Sequence, residues 1–178
     1  TFYLPFGASS NTYIGLDFFG TSFNEQMVVD YENIANTIDF YALDGKRSIS
    51  RSYQIDFNIE PIRRLTVSAT FRYTDARIEM KERGLTEKPL TSRYKGVLNL
   101  QYATNLNKWV FDFTASINGK SRVYSFMEGL RDENGKLLYK DGYSPAYPLL
   151  YLQVTKRFKG IDIYLGAENL TNFRQKNL

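Results

Sequence analysis

The side chains in this sequence that could do chemistry are carboxylates, hydroxyls, amides, cations and aromatic rings, because it contains neither histidine nor cysteine. The lack of histidine removes the commonest general base and metal ligand, and the lack of cysteine removes thiolate and disulfide chemistry. A carboxylate pair such as Asp112 and Glu168 is a candidate for acid–base catalysis, but no nucleophile or pocket motif accompanies it. We interpret both carboxylates as wall residues of a sheet, and the sequence predicts no enzyme.

A second acidic group, Asp132, Glu133 and Asn134 followed by Gly135, is similar to the start of a calcium-binding loop. The other ligands of that pattern are missing. An Asn-Gly pair is also a strong signal for a tight hairpin, so the segment is interpreted as a turn. The sequence predicts neither a metal nor a cofactor.

Cations and aromatic rings are concentrated in the longest connection, residues 119–148. Arginine and aromatic side chains together can hold an anionic or aromatic ligand. The candidate ligand-binding residues are Arg122, Tyr124, Phe126, Arg131, Tyr139, Lys140, Tyr143 and Tyr147. The alternative interpretation is an ordinary solvated loop with interfacial tyrosines.

The elements that must position these residues are predicted to be β-strands, because apolar and polar residues alternate with a period of two. The alternation is clearest in the last hairpin, residues 150–172. The predicted strands are residues 12–30 with a bulge or bend at Gly20, 51–60, 65–74, 94–102, 109–118, 150–158 and 161–168. Residues 1–11 are interpreted as a connection.

The connections between these strands alternate in length. The short ones are residues 61–64, 104–107 and 159–160, and the long ones are 31–47, 75–92 and 119–148. Within the first long connection, Ile38, Phe40 and Ala42 predict a short strand. Short turns at one end and long loops at the other are typical of outer-membrane barrels. The predicted fold is therefore all-β: an antiparallel up-and-down meander of about seven long strands, part of a transmembrane β-barrel.

The placement of aromatic rings supports a membrane-spanning sheet. The apolar faces begin at Tyr102, Trp109 and Phe158 near the short turns and end at Tyr53, Tyr73 and Tyr94, with aliphatic residues between. The opposite face is polar and carries Asp56, Arg72, Asp112 and Glu168. Rings bordering an aliphatic band match the interfacial girdles of a barrel. The alternative is a soluble β-barrel or β-sandwich ligand-binding module whose apolar face points inward.

The end of the last hairpin resembles a known family. Residues Glu168-Asn169-Leu170-Thr171-Asn172, with the lead-in at 143–147, are similar to the C-terminal barrel of TonB-dependent outer-membrane receptors. Asp17-Phe18-Phe19 and residues 23–30 look like receptors of the Bacteroidetes. The mild net charge of +4, spread without dense basic clusters, predicts no nucleic-acid partner.

The resemblance implies a 22-stranded barrel in the Gram-negative outer membrane, filled by a plug domain that the TonB complex moves. It implies active uptake of a nutrient such as an iron–siderophore complex, with membrane lipid, the plug, the rest of the barrel and TonB as partners. The sequence has no plug, no TonB box and no closing strand after Asn172. Residues 1–178 are therefore expected to be a single segment of a larger receptor barrel.

Overall fold

The computed structural model describes residues 2–5, 12–31, 38–42, 44–81 and 83–174, and of residues 2–5 it describes the backbone alone. Within these residues there are eleven β-strands, and short 3-10 turns lie at Asn105–Asn107 and Ser125–Met127. The strands are β1 Phe2–Pro5, β2 Tyr13–Phe23, β3 Met27–Asp30, β4 Asp39–Ala42, β5 Ser48–Ile62, β6 Leu65–Met80, β7 Gly84–Glu87, β8 Tyr94–Ala103, β9 Trp109–Asn118, β10 Tyr147–Phe158 and β11 Ile161–Ala167. No described helix has the length and apolar character needed to cross a membrane.

The long strands form one antiparallel meander. Their order is β1-β2-β5-β6-β8-β9-β10-β11, and β7 pairs with the far part of β6. The short connections follow β5, β8 and β10 and lie at one end of the sheet, the turn end, whereas the insertions lie at the other, the long-loop end. The predicted all-β antiparallel meander, with seven long strands, is confirmed.

Three expectations for the first part of the chain are wrong. Residues 12–30 do not form one strand, because the chain bends at 24–26 and β3 leaves the sheet to pair with β4. Gly20 forms no bulge, since it pairs with Arg51 in an unbroken register. Phe2–Pro5, expected within a connection, pairs with β2 as an edge strand. The rest of that expected connection lies outside the described residues, whereas the short strand expected around Phe40 is present as β4.

Residues 75–92 are also not the expected long loop, because β6 continues to Met80 and β7 pairs back against it. The reason is that the apolar residues of β6 change face after Tyr73. Ala76, Ile78 and Met80 point to the otherwise polar face, where they are buried. The β3–β4 hairpin covers this patch with Val28 and Tyr41. Charged residues therefore alternate along a strand here rather than marking a loop.

The register defines an apolar face, because directly paired residues of antiparallel strands point to the same side. Phe18, Tyr53, Tyr73 and Tyr94 form one row on it, from β2 to β8. Nearer the turn end, Tyr102 pairs with Phe111, and Trp109 pairs with Lys156. A row midway between them consists of Ile14, Phe57, Ala69, Leu98, Ala115 and Leu150. The apolar face thus has a mainly aliphatic centre, with Phe57 within it, bordered by aromatic rings.

This apolar face is largely exposed. Its exposed members include Leu16, Ile55, Phe71, Leu98, Leu152 and Leu165. The clusters of buried apolar residues lie instead at the long-loop end, one around Ile78 and one around Val123. Among the described residues, the meander has no hydrophobic core packed against its apolar face.

Hydrogen bonds between side chains connect the strands on the polar face. Arg72 Nε donates to Gln54 Oε1 at 2.8 Å, and Gln54 Nε2 donates to Asp56 Oδ2 at 2.8 Å. Thr70 Oγ1 donates to Asp56 Oδ1 at 2.7 Å. These hydrogen bonds tie neighbouring strands together on the polar face.

Candidate functional site

The insertions meet at the long-loop end, and a polar network joins them. Glu87, the last residue of β7, accepts hydrogen bonds from Arg93 Nε at 2.7 Å and Arg93 Nη2 at 2.6 Å, one on each carboxylate oxygen. Tyr143 donates its hydroxyl hydrogen to Glu87 Oε2 at 2.8 Å. Arg122 donates to the backbone oxygen of Glu87 at 3.4 Å. We call these four residues the loop clamp, because they fasten the insertion of residues 119–146 to β7.

Backbone hydrogen bonds hold the loop clamp in place. Leu90 N donates to Arg122 O at 2.8 Å, and Arg93 N donates to Lys120 O at 3.0 Å. Ser144 N donates to Ser121 O at 2.8 Å, so both ends of the insertion lie side by side. The clamp lines a cavity of about 460 Å³ together with Tyr73, Asp75 and Arg77. Acids and bases are mutually paired there, so the clamp is interpreted as a structural fastening.

The hydrogen bond from Arg93 holds the pKa of Glu87 below its ordinary value of 4.5. Burial opposes this shift, and the hydroxyl of Tyr143 reinforces it. The same hydrogen bond to Glu87 raises the pKa of Tyr143 above its ordinary value. A bidentate contact between guanidinium and carboxylate is among the stronger hydrogen-bonded pairs, and the clamp therefore requires an ionised Glu87.

The insertion should loosen in acid. Because the folded state lowers the pKa of Glu87, its contribution to stability is complete above the unfolded value of 4.5 and is lost as pH falls below it. We expect amide exchange at Arg93 and Ser144, relative to the intrinsic rate, to accelerate by about fivefold as Glu87 protonates. The effect is this modest because Arg93 is half exposed and water screens its charge. Exchange measured by mass spectrometry between pH 3 and 7 tests this. Glu87→Gln should show the faster exchange at every pH. If this variant keeps the pH dependence of the wild type, Glu87 is not the titrating group.

Aromatic rings form a second feature of the long-loop end. Tyr124 and Phe126 stack with centroids 5.6 Å apart and an angle of 9° between the rings. Tyr31, which follows β3, meets Tyr124 edge-on at 5.4 Å. Phe126 is 59% exposed and ends the run. Rings from two separate insertions thus form one aromatic surface with a free outer edge.

The structure places the other predicted ligand-binding residues in different roles. Tyr139 is buried with Val123 and Met127 in the core of the insertion. Arg131 donates from Nη1 to Gly135 O at 2.7 Å across a small hairpin, and Lys140 is exposed. Tyr147 begins β10 and stacks on Phe173 at 4.2 Å.

Of the eight predicted residues, Arg122 and Tyr143 belong to the loop clamp, whereas Tyr124 and Phe126 belong to the aromatic surface.

The Asp132 segment forms the turn expected from its Asn-Gly pair. Asp132 Oδ1 accepts hydrogen bonds from the backbone nitrogens of Asn134 and Lys136, both at 2.9 Å. Gly135 has a φ of 78°, a left-handed conformation that glycine adopts without strain. The carboxylate thus caps the turn. Within the described ranges no three acidic side chains come together in a way that could hold a metal ion.

Asp112 and Glu168 both line a cavity of about 600 Å³ on the polar face. The cavity extends over β8 to β11 and is bordered mainly by Asn99, Thr114, Tyr151, Gln153 and Tyr164. Asp112 accepts a hydrogen bond from Gln101 Nε2 at 2.8 Å. This arrangement makes both carboxylates part of a polar wall, as the sequence predicts.

Residues 168–172 form a closed turn that ends β11. Asn169 has a φ of 50°, and its side chain bonds twice to Phe173: Nδ2 donates to the backbone oxygen at 2.9 Å, and Oδ1 accepts from the backbone nitrogen at 3.0 Å. Thr171 donates to Pro148 O at 3.0 Å, and Leu170 N donates to Leu150 O at 3.0 Å. The motif therefore returns the chain onto the start of β10.

Sequence reasoning missed Glu87 and Arg93. Glu87 lies within residues 75–92, the expected loop, and Arg93 directly follows them. Glu87 is 56 residues from its partner Tyr143. No local pattern announces a contact over that distance. The face change after Tyr73 is the signal that could have placed Glu87 on a strand.

No family model matches this chain, and no curated protein matches it in sequence. A solved structure does match: BauA, the ferric preacinetobactin receptor from Acinetobacter baumannii, with a TM-score of 0.58. The alignment covers 92% of this chain and 23% of that receptor, at 14% identity. At this identity the likeness concerns the fold alone.

Proposed function

We propose that the chain is a segment of a TonB-dependent receptor barrel in a Gram-negative outer membrane, which takes up a nutrient such as an iron–siderophore complex. The proposed activity is binding and transport rather than catalysis. Two findings support it: the resemblance of residues 168–172 to such receptors, and a fold shared with the ferric preacinetobactin receptor. The narrower likeness to Bacteroidetes receptors rests on residues 17–19 and 23–30.

The exposed apolar face between two aromatic rows carries the proposal. Tyr94 and Tyr102 lie eight residues apart on β8, which corresponds to about 27 Å along an antiparallel strand. At a tilt near 40°, this becomes about 20 Å along the membrane normal, comparable to the ~25 Å apolar band of outer-membrane barrels. The point at which the apolar residues of β6 change face, after Tyr73, lies at the level of Tyr94, the upper limit of this band. Lipid is the environment in which such a face is stable.

The same arrangement disfavours the alternative, a soluble binding module. In a soluble sandwich or lipocalin-like barrel, the apolar face forms the core and the polar face meets water. Here the apolar face is exposed, and the polar face carries the side-chain hydrogen bonds around Asp56. The edge strands of the described meander, β1 and β11, each have a hydrogen-bonded neighbouring strand on one side only. We propose that the rest of the barrel completes both edges and that the plug covers the polar face.

The ligand is proposed to meet the aromatic surface formed by Tyr31, Tyr124 and Phe126. The β3–β4 hairpin lies over the polar-face side of β6, so the surface it shares with Tyr124 belongs to the inner side of the long-loop end. A ferric chelate that carries aromatic or anionic groups fits stacked rings with an exposed edge. Uptake then requires the TonB-driven movement of the plug.

Uptake of ⁵⁵Fe-labelled ferric chelates tests this function, using cells that carry or lack the full-length gene. We expect Phe126→Ala to raise the concentration for half-maximal uptake by about fivefold, the loss of one aromatic contact. Leu130→Ala, which shortens another exposed apolar side chain in the same insertion, should leave it unchanged. If cells with and without the gene take up every tested chelate equally, the transport proposal is contradicted. An equal effect of the two substitutions would contradict the ligand surface.

A further inference from the structure

The net charge of the chain resides at the turn end. The chain has 23 basic and 19 acidic residues. The turn end, residues 60–64, 103–109 and 156–162, contains six of the basic and two of the acidic ones. These eight account for the whole net charge of +4, so the remainder of the chain is neutral. The basic residues are Arg63, Arg64, Lys108, Lys156, Arg157 and Lys159. We call them the basic collar.

Lys156 shows the level at which the collar lies. It is on the apolar face, where it pairs with Trp109, and its ammonium group is 4.2 Å from the centre of the Trp109 ring. The ring of Phe158 lies 5.7 Å from the same ammonium group. A lysine that lays its stem on apolar surface and carries its charge among interfacial rings is placed at the depth of lipid headgroups.

The two acidic residues of this end are already engaged. Glu60 Oε1 accepts a hydrogen bond from the backbone nitrogen of Arg64 at 2.9 Å. Asp162 forms an ion pair with Arg157 at 3.4 Å. With Arg157 paired to Asp162, the other five basic residues outnumber the single charge of Glu60, so the turn end retains a positive field near the aromatic row.

The first turn holds one of these charges in an unusual backbone conformation. Arg64 has a φ of 71°, whereas the equivalent second position of the last turn is occupied by Gly160 with a φ of 89°. A left-handed conformation is unfavourable for a residue other than glycine, because its Cβ then crowds the backbone. Arg64 also donates from Nη1 to Asn105 Oδ1, which fixes its guanidinium between the first two turns. An arginine thus occupies a position that glycine would occupy without strain, which indicates a role for its charge.

We propose that the basic collar binds the phosphodiester headgroups of anionic phospholipids in the leaflet at the turn end. This inference rests on the proposed function, because it requires the apolar face to lie in lipid. The headgroup layer is roughly 5–8 Å thick on each side of a bilayer, enough to hold the short turns beyond the aromatic row. Each basic side chain near such a surface contributes about a fivefold preference for anionic lipid at low ionic strength.

Quenching of Trp109 fluorescence by brominated lipids tests the inference. Trp109 is the single tryptophan of this chain, so subtracting the spectrum of Trp109→Phe isolates its signal in the full-length protein. The protein is placed in liposomes containing brominated phosphatidylglycerol or brominated phosphatidylcholine. The ratio of the two lipids' association constants at Trp109 is the readout.

We expect the wild type to prefer phosphatidylglycerol by at least about fivefold, and Lys156→Gln combined with Arg64→Gly to lower the preference to below about twofold. Glycine at position 64 suits the turn, so this variant keeps the backbone able to fold. Lys95→Gln removes one positive charge from the polar face near the other end and should leave the preference unchanged. Equal quenching by both lipids, or an unaffected double variant, would overturn the headgroup inference alone. An absence of quenching by either lipid would overturn the membrane proposal as well.

Discussion

Leu98→Arg should destabilise the membrane-inserted protein, whereas Val97→Arg should have little effect. The two positions are neighbours on β8, have similar exposure, 37% and 44%, and would undergo the same change from aliphatic to cationic. Leu98 is midway between Tyr94 and Tyr102 on the apolar face, whereas Val97 points to the polar face. An arginine at the midplane on the lipid side of a barrel costs about 2–4 kcal/mol. On the polar face, an arginine remains among water and polar side chains.

The unfolding free energy of the full-length protein, refolded into liposomes from urea, measures this difference. We expect Leu98→Arg to lose about 2–4 kcal/mol and Val97→Arg to lose less than about 1 kcal/mol. In a soluble protein, an arginine at an exposed leucine would be nearly neutral. Similar losses for both variants, or a larger loss for Val97→Arg, would contradict the assignment of the two faces.

Gly119→Ala should be the most damaging small substitution at the base of the long insertion. A Cβ at Gly119 would come within 2.7 Å of both the Tyr94 backbone oxygen and its ring. Gly119 N also donates to that same oxygen at 2.8 Å, so the two backbones cannot separate without losing the bond. Overpacking of this kind costs about 1–3 kcal/mol, and here we expect the upper part of that range.

Gly129→Ala provides the matched control for this substitution. Gly129 lies in the same insertion, and its added Cβ would meet nothing within 4 Å. Replacing it should be neutral or stabilise the protein by up to about 1 kcal/mol, because alanine restricts the unfolded chain. Urea unfolding of both variants tests the pair, and equal stabilities would show that the backbone approach at Tyr94 is not tight.

The meander was predictable because each long strand must separate an apolar face from a polar one. The alternation in residues 65–73, 94–102 and 109–117 left one choice of face, and the short connections fixed antiparallel neighbours. The closed turn at residues 168–172 was recognisable as a motif, but its hydrogen bonds to Pro148 and Phe173 were not.

The long-loop end was less predictable, since its contacts join residues that are distant in sequence. Tyr31 meets Tyr124 across more than ninety residues, and no pattern in either segment encodes that contact. The charged stretch after Tyr73 was misinterpreted because its apolar residues lie on the polar face, where Ile78 and Met80 pack against the β3–β4 hairpin. A search for strands whose apolar residues all lie on one face does not detect a strand in which they change face.

The orientation of β8 in lipid tests the central claim most directly. Nitroxide labels on single cysteines at Val97, Leu98, Asn99 and Leu100 are feasible because this chain has no native cysteine. Oxygen concentrates in hydrocarbon, so its collision rate reports exposure to lipid whatever covers the polar face. In liposomes we predict a period of two, with oxygen accessibility highest at Leu98 and Leu100. Equal accessibility at all four positions, or maxima at Val97 and Asn99, would contradict a membrane-spanning sheet with this apolar face in lipid.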